Sequence, residues 1–151
     1  MTDCPAIPDE GLNELSRGIE SLKLLSVLKL NFSRNSKITD FGIQSLAEGI
    51  KHLNCLTTFE LTLEKCSNIG DQGLCDLFSQ LRNCKRLNTI LLNMKNNSII
   101  SDKSLLSLGF LFKEIGEELV DVSLIFASCS KLTDIGLQNL FEDSKYLQKI
   151  K

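Results

Sequence analysis

Apolar and polar residues along this chain follow two alternating periods, and the switch between them recurs. Over residues 27–32, Leu28, Leu30 and Phe32 occupy every second position, the pattern of a strand with one buried face. From Asp40 the apolar residues Ile43, Leu46, Ile50, Leu53 and Leu56 are spaced by three and four, the stripe of an amphipathic helix. The period-two run returns at 58–63, 89–94 and 121–126. Four segments written in register make the repetition explicit: LSVLKLNFSRNSKITD (25–40), LTTFELTLEKCSNIGD (56–71), LNTILLNMKNNSIISD (87–102) and LVDVSLIFASCSKLTD (119–134). Asp40, Asp71, Asp102 and Asp134 are 31, 31 and 32 residues apart. A fixed period in this range marks stacked supersecondary units rather than a single folded core.

Each Asp opens a helical pattern, with apolar residues at +3, +6, +10, +13 and +16. Gly stands at +2 in most units, as in Gly11, Gly42 and Gly73. The Asp, preceded by Thr39 or Thr133, has the character of an N-cap facing its own helix, and the Gly lets the helix start lie close to the adjacent turn. Strand and helix alternating every 31 residues make a chain of βα units, with right-handed crossovers and parallel strands. The expected fold is therefore α/β, a repeat solenoid with about four strands on one face and five helices on the other. It forms one domain over 1–151, in units of approximately 4–34, 35–65, 66–96, 97–128 and 129–151. The fourth unit departs from the rule: Ser104 replaces Gly, and Gly116 lengthens the spacing to 32. Its helix, 104 to about 116, is the most apolar, with Leu105, Leu106, Leu108, Phe110, Leu111 and Phe112 nearly in sequence, and either carries an exposed patch or has Phe110 and Leu111 filling gaps against the neighbouring helices.

At the ends, Cys4, Ile7 and Asp9 stand 31 residues before Asn35, Ile38 and Asp40, so the sequence opens in mid-repeat. Leu147 and Ile150 hold the +13 and +16 columns just before the next strand is due. Both outer strands are expected to have open edges, met by flanking repeats of a larger protein or by head-to-tail contacts between chains.

Composition narrows the function. The 151 residues are 42% hydrophobic and 24% charged with a net charge of −2, and Lys and Arg are scattered, so nucleic acid is not the expected partner. No apolar run is long enough to span a membrane, and the start has neither a basic end nor a signal core, which points to an intracellular, cytoplasmic protein. The six cysteines lack CxxC spacing, so neither a metal nor a cofactor is expected. Cys4, Cys66 and Cys129 share one column with Asn35 and Asn97, where a small donor satisfies a neighbouring turn's carbonyl. His52, the single histidine, is read as solvated on the polar side of its helix, and no nucleophile–base pair can be assembled.

The Leu-x-x-Leu-x-Leu runs followed by Asn/Cys, Ile and Asp-x-Gly-Leu resemble the leucine-rich repeat family, in its ribonuclease-inhibitor-like and cysteine-containing variants. The lengthened strand, with Phe32, Leu63, Met94 and Phe126 as extra inward residues, is similar to protist arrays, notably those of ciliates. The resemblance covers about residues 4–151. It implies a curved solenoid, strands concave and helices convex, and a protein-binding role.

With the inward columns fixed by packing, the outward strand residues are free to carry function. On that mixed face Leu91 and Ile125 are apolar without a packing reason, and on adjacent strands two residues out of step they would lie within ~8 Å. They are candidate anchors for a protein partner, with Lys29, Glu60, Glu64, Asn93 and Lys95 around them. The alternatives are that both are incidental surface residues, or that the protein is a structural subunit stacking through its open ends.

Overall fold

The computed structural model describes residues 6–142. Nine elements alternate along them: α1 (Asp9–Ser21), β1 (Val27–Asn31), α2 (Asp40–Ile50), β2 (Thr58–Thr62), α3 (Asp71–Leu81), β3 (Thr89–Asn93), α4 (Asp102–Ile115), β4 (Asp121–Ile125) and α5 (Asp134–Glu142). The strands form one parallel sheet in the order β1-β2-β3-β4. Their register steps by one repeat: Leu28 lies beside Phe59, Phe59 beside Ile90 and Ile90 beside Val122. The inward strand residues and the helix stripes close one continuous core in which Phe59, Leu61, Ile43, Leu46, Leu74 and Leu77 are fully buried. Cys4, Leu147 and Ile150 lie outside the described residues.

Each strand ends one residue before the alternation does. The ladder nevertheless continues, because the Phe32, Leu63 and Met94 amides donate to the carbonyls of Thr62, Asn93 and Ile125 at 2.8–2.9 Å. The extra inward residue is thus held by a backbone bond as well as by packing. Helices α2 and α3 stop at +10, so Leu53, Leu56, Cys84 and Leu87, expected on the helical stripe, sit in the turns that follow. Successive i→i+3 bonds (Leu53 to Ile50, Leu56 to Leu53, Cys84 to Leu81, Leu87 to Cys84) keep a three-residue step there, so the apolar spacing persists after the helix ends. α4 spans Asp102–Ile115, with Leu105, Leu108, Leu111, Phe112 and Ile115 buried, while Leu106 and Phe110 are 46% and 53% exposed. Leu111 therefore fills a gap and Phe110 does not.

The Asn/Cys column does what its chemistry suggests. Asn35 donates to Ile7 O at 2.9 Å, Cys66 to Phe32 O at 3.0 Å, Asn97 to Leu63 O at 2.8 Å and Cys129 to Met94 O at 3.0 Å, each reaching one repeat back. The Asp column differs from the expected cap. The N-caps of α2 to α4 are Thr39, Gly70 and Ser101, and the Asp is the first helical residue. Its carboxylate reaches forward to the N-cap of the next repeat. Asp9 accepts from Thr39 N (2.8 Å) and Oγ1 (2.6 Å), Asp40 from Gly70 N (2.7 Å), and Asp102 from Thr133 N (2.8 Å) and Oγ1 (2.6 Å). A carboxylate at that place faces the positive end of the following helix as well as its own.

The Gly column follows from this ladder. A Cβ on Gly42 would come within 2.4 Å of the Asp9 carboxylate, and one on Gly73 within 2.8 Å of the Asp40 carboxylate. Ser104 is accommodated because its hydroxyl joins the bond instead, donating to Asp71 alongside Ser101 N and Oγ. The third residue after each strand end, Arg34, Lys65, Asn96 or Ser128, is left-handed with φ of 60–63°. These positions turn the chain from strand to helix and carry no Gly.

Burial pushes the Asp71 carboxyl up, but the hydrogen bonds from Ser101 and Ser104 together outweigh it and hold the group below its ordinary value. The unfolded chain therefore takes up this proton first as pH falls. The stabilisation is complete above about pH 4 and is lost as pH drops through the folded-state value. Asp71→Ala is expected to cost about 2–3 kcal/mol at neutral pH, from the loss of bonds to a charged acceptor. In urea melts, the gap between variant and parent should narrow below about pH 4; a gap independent of pH would count against the ladder.

Candidate functional site

The register arranges the outward strand residues in rows across the sheet. One row is Lys29, Glu60, Leu91 and Ser123; the next is Asn31, Thr62, Asn93 and Ile125. Lys29 and Glu60 face each other on adjacent strands and form an ion pair at 2.6 Å, with Glu60 the more sheltered partner. This exposed pair contributes little to stability, but it leaves neither charge free for the row beside it.

Leu91 is half-buried and Ile125 is 43% exposed. Leu91 pairs with Ser123, so Ile125 stands two residues further along the neighbouring strand, as the sequence register requires. Together with Glu60, Thr62, Leu92, Asn93 and Ser123 they line a shallow depression of about 160 Å³. Asn93 is oriented by its own strand end: its Oδ1 accepts from Lys95 N at 3.1 Å, leaving its amide N–H pair as donors. Asn31 is held likewise, with Oδ1 accepting from Ser33 N and Oγ.

Four of the candidate residues, Glu60, Leu91, Asn93 and Ile125, thus meet in one place, and Lys29 touches that place through Glu60. Glu64 and Lys95 do not line the depression; they sit beyond the strand ends, where Glu64 approaches Asn96 Nδ2 at 3.5 Å. Thr62 and Ser123 line it without having been singled out. Their outward parity was legible, but a small hydroxyl on a solvated strand carries no signal of its own.

Among the described residues, the cysteines with shifted thiols are shifted away from the thiolate. Burial pushes the Cys84 thiol up to about 11 and raises Cys66, Cys75 and Cys129 above their ordinary value, which disfavours the thiolate. His52 lies not on α2 but in the turn after it, exposed, with Nε2 4.0 Å from Glu20. The apolar stripe carried on past the helix end, which is why it read as helical.

No protein-family model and no curated protein matches the sequence. Among solved structures, the chain is similar to the leiomodin-1 actin-binding site 2 (ABS2), with a TM-score of 0.64 and 19% identity over 98% of this chain and 78% of that one. The fold is a leucine-rich repeat solenoid. An internalin, InlF, from Listeria monocytogenes matches at 17% identity over 88% of this chain and 48% of that one, with a TM-score of 0.27, too distant to inform the comparison. The strand face of this solenoid carries the depression around Leu91 and Ile125, and no helix among the described residues is long and apolar enough to cross a membrane.

Leu91→Glu and Ile125→Glu are expected to leave the melting transition within about 0.5 kcal/mol of the parent, as surface changes do. Leu92→Ala, one residue away but fully buried, should cost about 2–5 kcal/mol. Thermal melts of the three variants check this, and a Leu91→Glu protein as destabilised as Leu92→Ala would mean the strand is turned over.

Proposed function

We propose that this chain is a non-enzymatic protein-interaction module that docks a protein partner on its strand face. The observation that carries the reading is the pairing of Leu91 and Ile125 in one depression on a face whose other outward residues, apart from Val27 at the start of β1, are polar or small. The apolar surface that Leu91 and Ile125 leave exposed gains nothing from folding, whereas a partner that covers it removes it from water. The polar surround of Thr62, Asn93 and Ser123 supplies hydrogen-bonding groups for orientation. The similar solved structure is described as an actin-binding site of leiomodin-1. At 19% identity the likeness is one of fold, and actin does not carry over as the partner. A cytoplasmic setting fits the five described cysteines, all of them free, as thiols are kept in a reducing compartment.

The competing reading, a subunit stacking head to tail through its open ends, meets an obstacle at the start of α1. The N-cap of α1 is Pro8, which has neither the N–H nor the hydroxyl that Thr39, Ser101 and Thr133 offer to the preceding Asp.

A photo-crosslinking amino acid placed at position 123, compared with one at position 110 on the helix face, tests the proposal in cells of the source organism. Position 123 is expected to yield a discrete protein adduct that Leu91→Glu abolishes. Identical adducts from both positions, or adducts indifferent to Leu91→Glu, would overturn it.

A further inference from the structure

Basic residues that are far apart in the sequence come together on one rim of the solenoid. The turns that leave the strands stack on one another through the backbone: Arg34 N donates to Glu64 O at 2.7 Å, Lys65 N to Lys95 O at 3.0 Å and Asn96 N to Ala127 O at 2.9 Å. These bonds set equivalent turn residues side by side at about the spacing of neighbouring strands. Arg34, Lys37, Lys65, Lys95 and Lys131 are all exposed in these turns, and none of the five forms an ion pair among the described residues. Glu64, half-buried, is the one acidic residue in the stretches 33–37, 64–68, 95–99 and 127–131, leaving that rim at 5 − 1 = +4 in a chain of net charge −2. The carboxylates that follow, Asp40, Asp71 and Asp102, are directed into the inter-repeat ladder and bound by N–H and hydroxyl donors. The linear sequence scatters these cations, and the 31-residue period collects them.

The rim adjoins the depression. Lys95 follows Asn93 and holds its Oδ1, so the cation row begins where the apolar floor of Leu91 and Ile125 ends. Within the depression the one acidic group, Glu60, is paired with Lys29, and Asn93, whose Oδ1 already accepts from Lys95 N, has its amide N–H groups to donate. A space of about 160 Å³ is close to the engineered cavity of about 150 Å³ that admits a benzene molecule, which sets the scale at one aliphatic or aromatic side chain. The strand face carries no exposed aromatic residue on which bases would stack, so the cations are better matched to carboxylates than to single-stranded nucleic acid.

Resting on the reading of the strand face as a protein-docking surface, we infer that the partner presents an acidic extended segment with one bulky apolar residue. That residue seats between Leu91 and Ile125, an adjacent backbone carbonyl accepts from the Asn93 amide, and flanking Asp or Glu side chains meet the rim formed by Arg34, Lys65 and Lys95. The charge row speeds and orients the encounter, and the apolar seat sets the dissociation rate.

The test uses short blocked peptides of Glu and Asp around a single central Leu, titrated against the full chain by fluorescence anisotropy and by amide chemical shifts. The Leu peptide is expected to bind more tightly as salt is lowered, shifting the amides of Leu91, Asn93, Ser123 and Ile125. The Lys65→Glu, Lys95→Glu double variant should weaken it by roughly tenfold with an unchanged melting curve, because exposed pairs are lost and repulsions introduced. Ile125→Glu, or Ser in place of the peptide's Leu, should abolish the shifts in the depression. A Lys-rich peptide binding as well as the acidic one, or a homopolymeric RNA binding more tightly than the peptide, would overturn the inference. If the acidic peptide fails to bind while Leu91→Glu still removes the adduct from position 123, the docking face stands and its charge assignment falls; if Leu91→Glu alters neither, both fall.

Discussion

Every repeat in this solenoid is completed by the next one, and the contact between repeats is the constraint on which the rest depends. A single strand and helix cannot bury Leu61 or Ile43 on their own; those side chains reach full burial because the neighbouring units close over them. Among the described residues, each helix lies beside the consecutive helices and each strand beside the consecutive strands. Three kinds of directional bond fix the spacing: the parallel backbone ladder, the backward donation of the Asn/Cys column, and the forward reach of the Asp carboxylate to the next N-cap. The last two run in opposite directions along the stack, so a unit displaced from its neighbour loses bonds on both. The cost of exposing an end is visible in β4, where Leu124 and Phe126 are only partly buried while their equivalents Leu92 and Met94 are sealed.

Because the requirement at each column is a bonding role, the residue that fulfils it can change. Cys and Asn alternate in one column since both are small and donate to a carbonyl, and burial that raises the Cys66 and Cys129 thiols keeps the donor proton in place. Ser104 replaces a glycine that elsewhere makes room for a carboxylate, and it does so by turning the contact into a hydrogen bond. The same substitution without a hydroxyl would leave Asp71 crowded and a donor short.

The outward strand face is separated from this scaffold by the two-residue period of the strands. Inward positions are committed to the core and outward ones are free, so a mixed face with Lys29, Glu60, Leu91 and Ile125 can vary without altering the stack. Lateral alignment then gives the face its properties. Lys29 meets Glu60 across one strand gap, Leu91 and Ile125 meet across another, and the turns above them align Arg34, Lys65 and Lys95.

The sequence by itself determined the repeat length, the order and type of every described element, the parallel sheet, the inward columns and the outward parity that exposes Leu91 and Ile125, because these depend on local periodicity and on burial of one face. Spacing alone did not distinguish the helical stripe from the turns after Ile50 and Leu81, since i→i+3 bonds preserve the same three-residue step. Nor did it show that the recurring Asp serves the following helix, because a capping residue looks the same in sequence whichever N-terminus it faces. The left-handed turns at Arg34, Lys65, Asn96 and Ser128 carried no glycine to announce them. Only the tertiary structure decided these points, and it alone directed the Asp carboxylates forward and gathered the scattered cations into one rim, because both bring together residues about one repeat apart and exist only once the repeats are stacked.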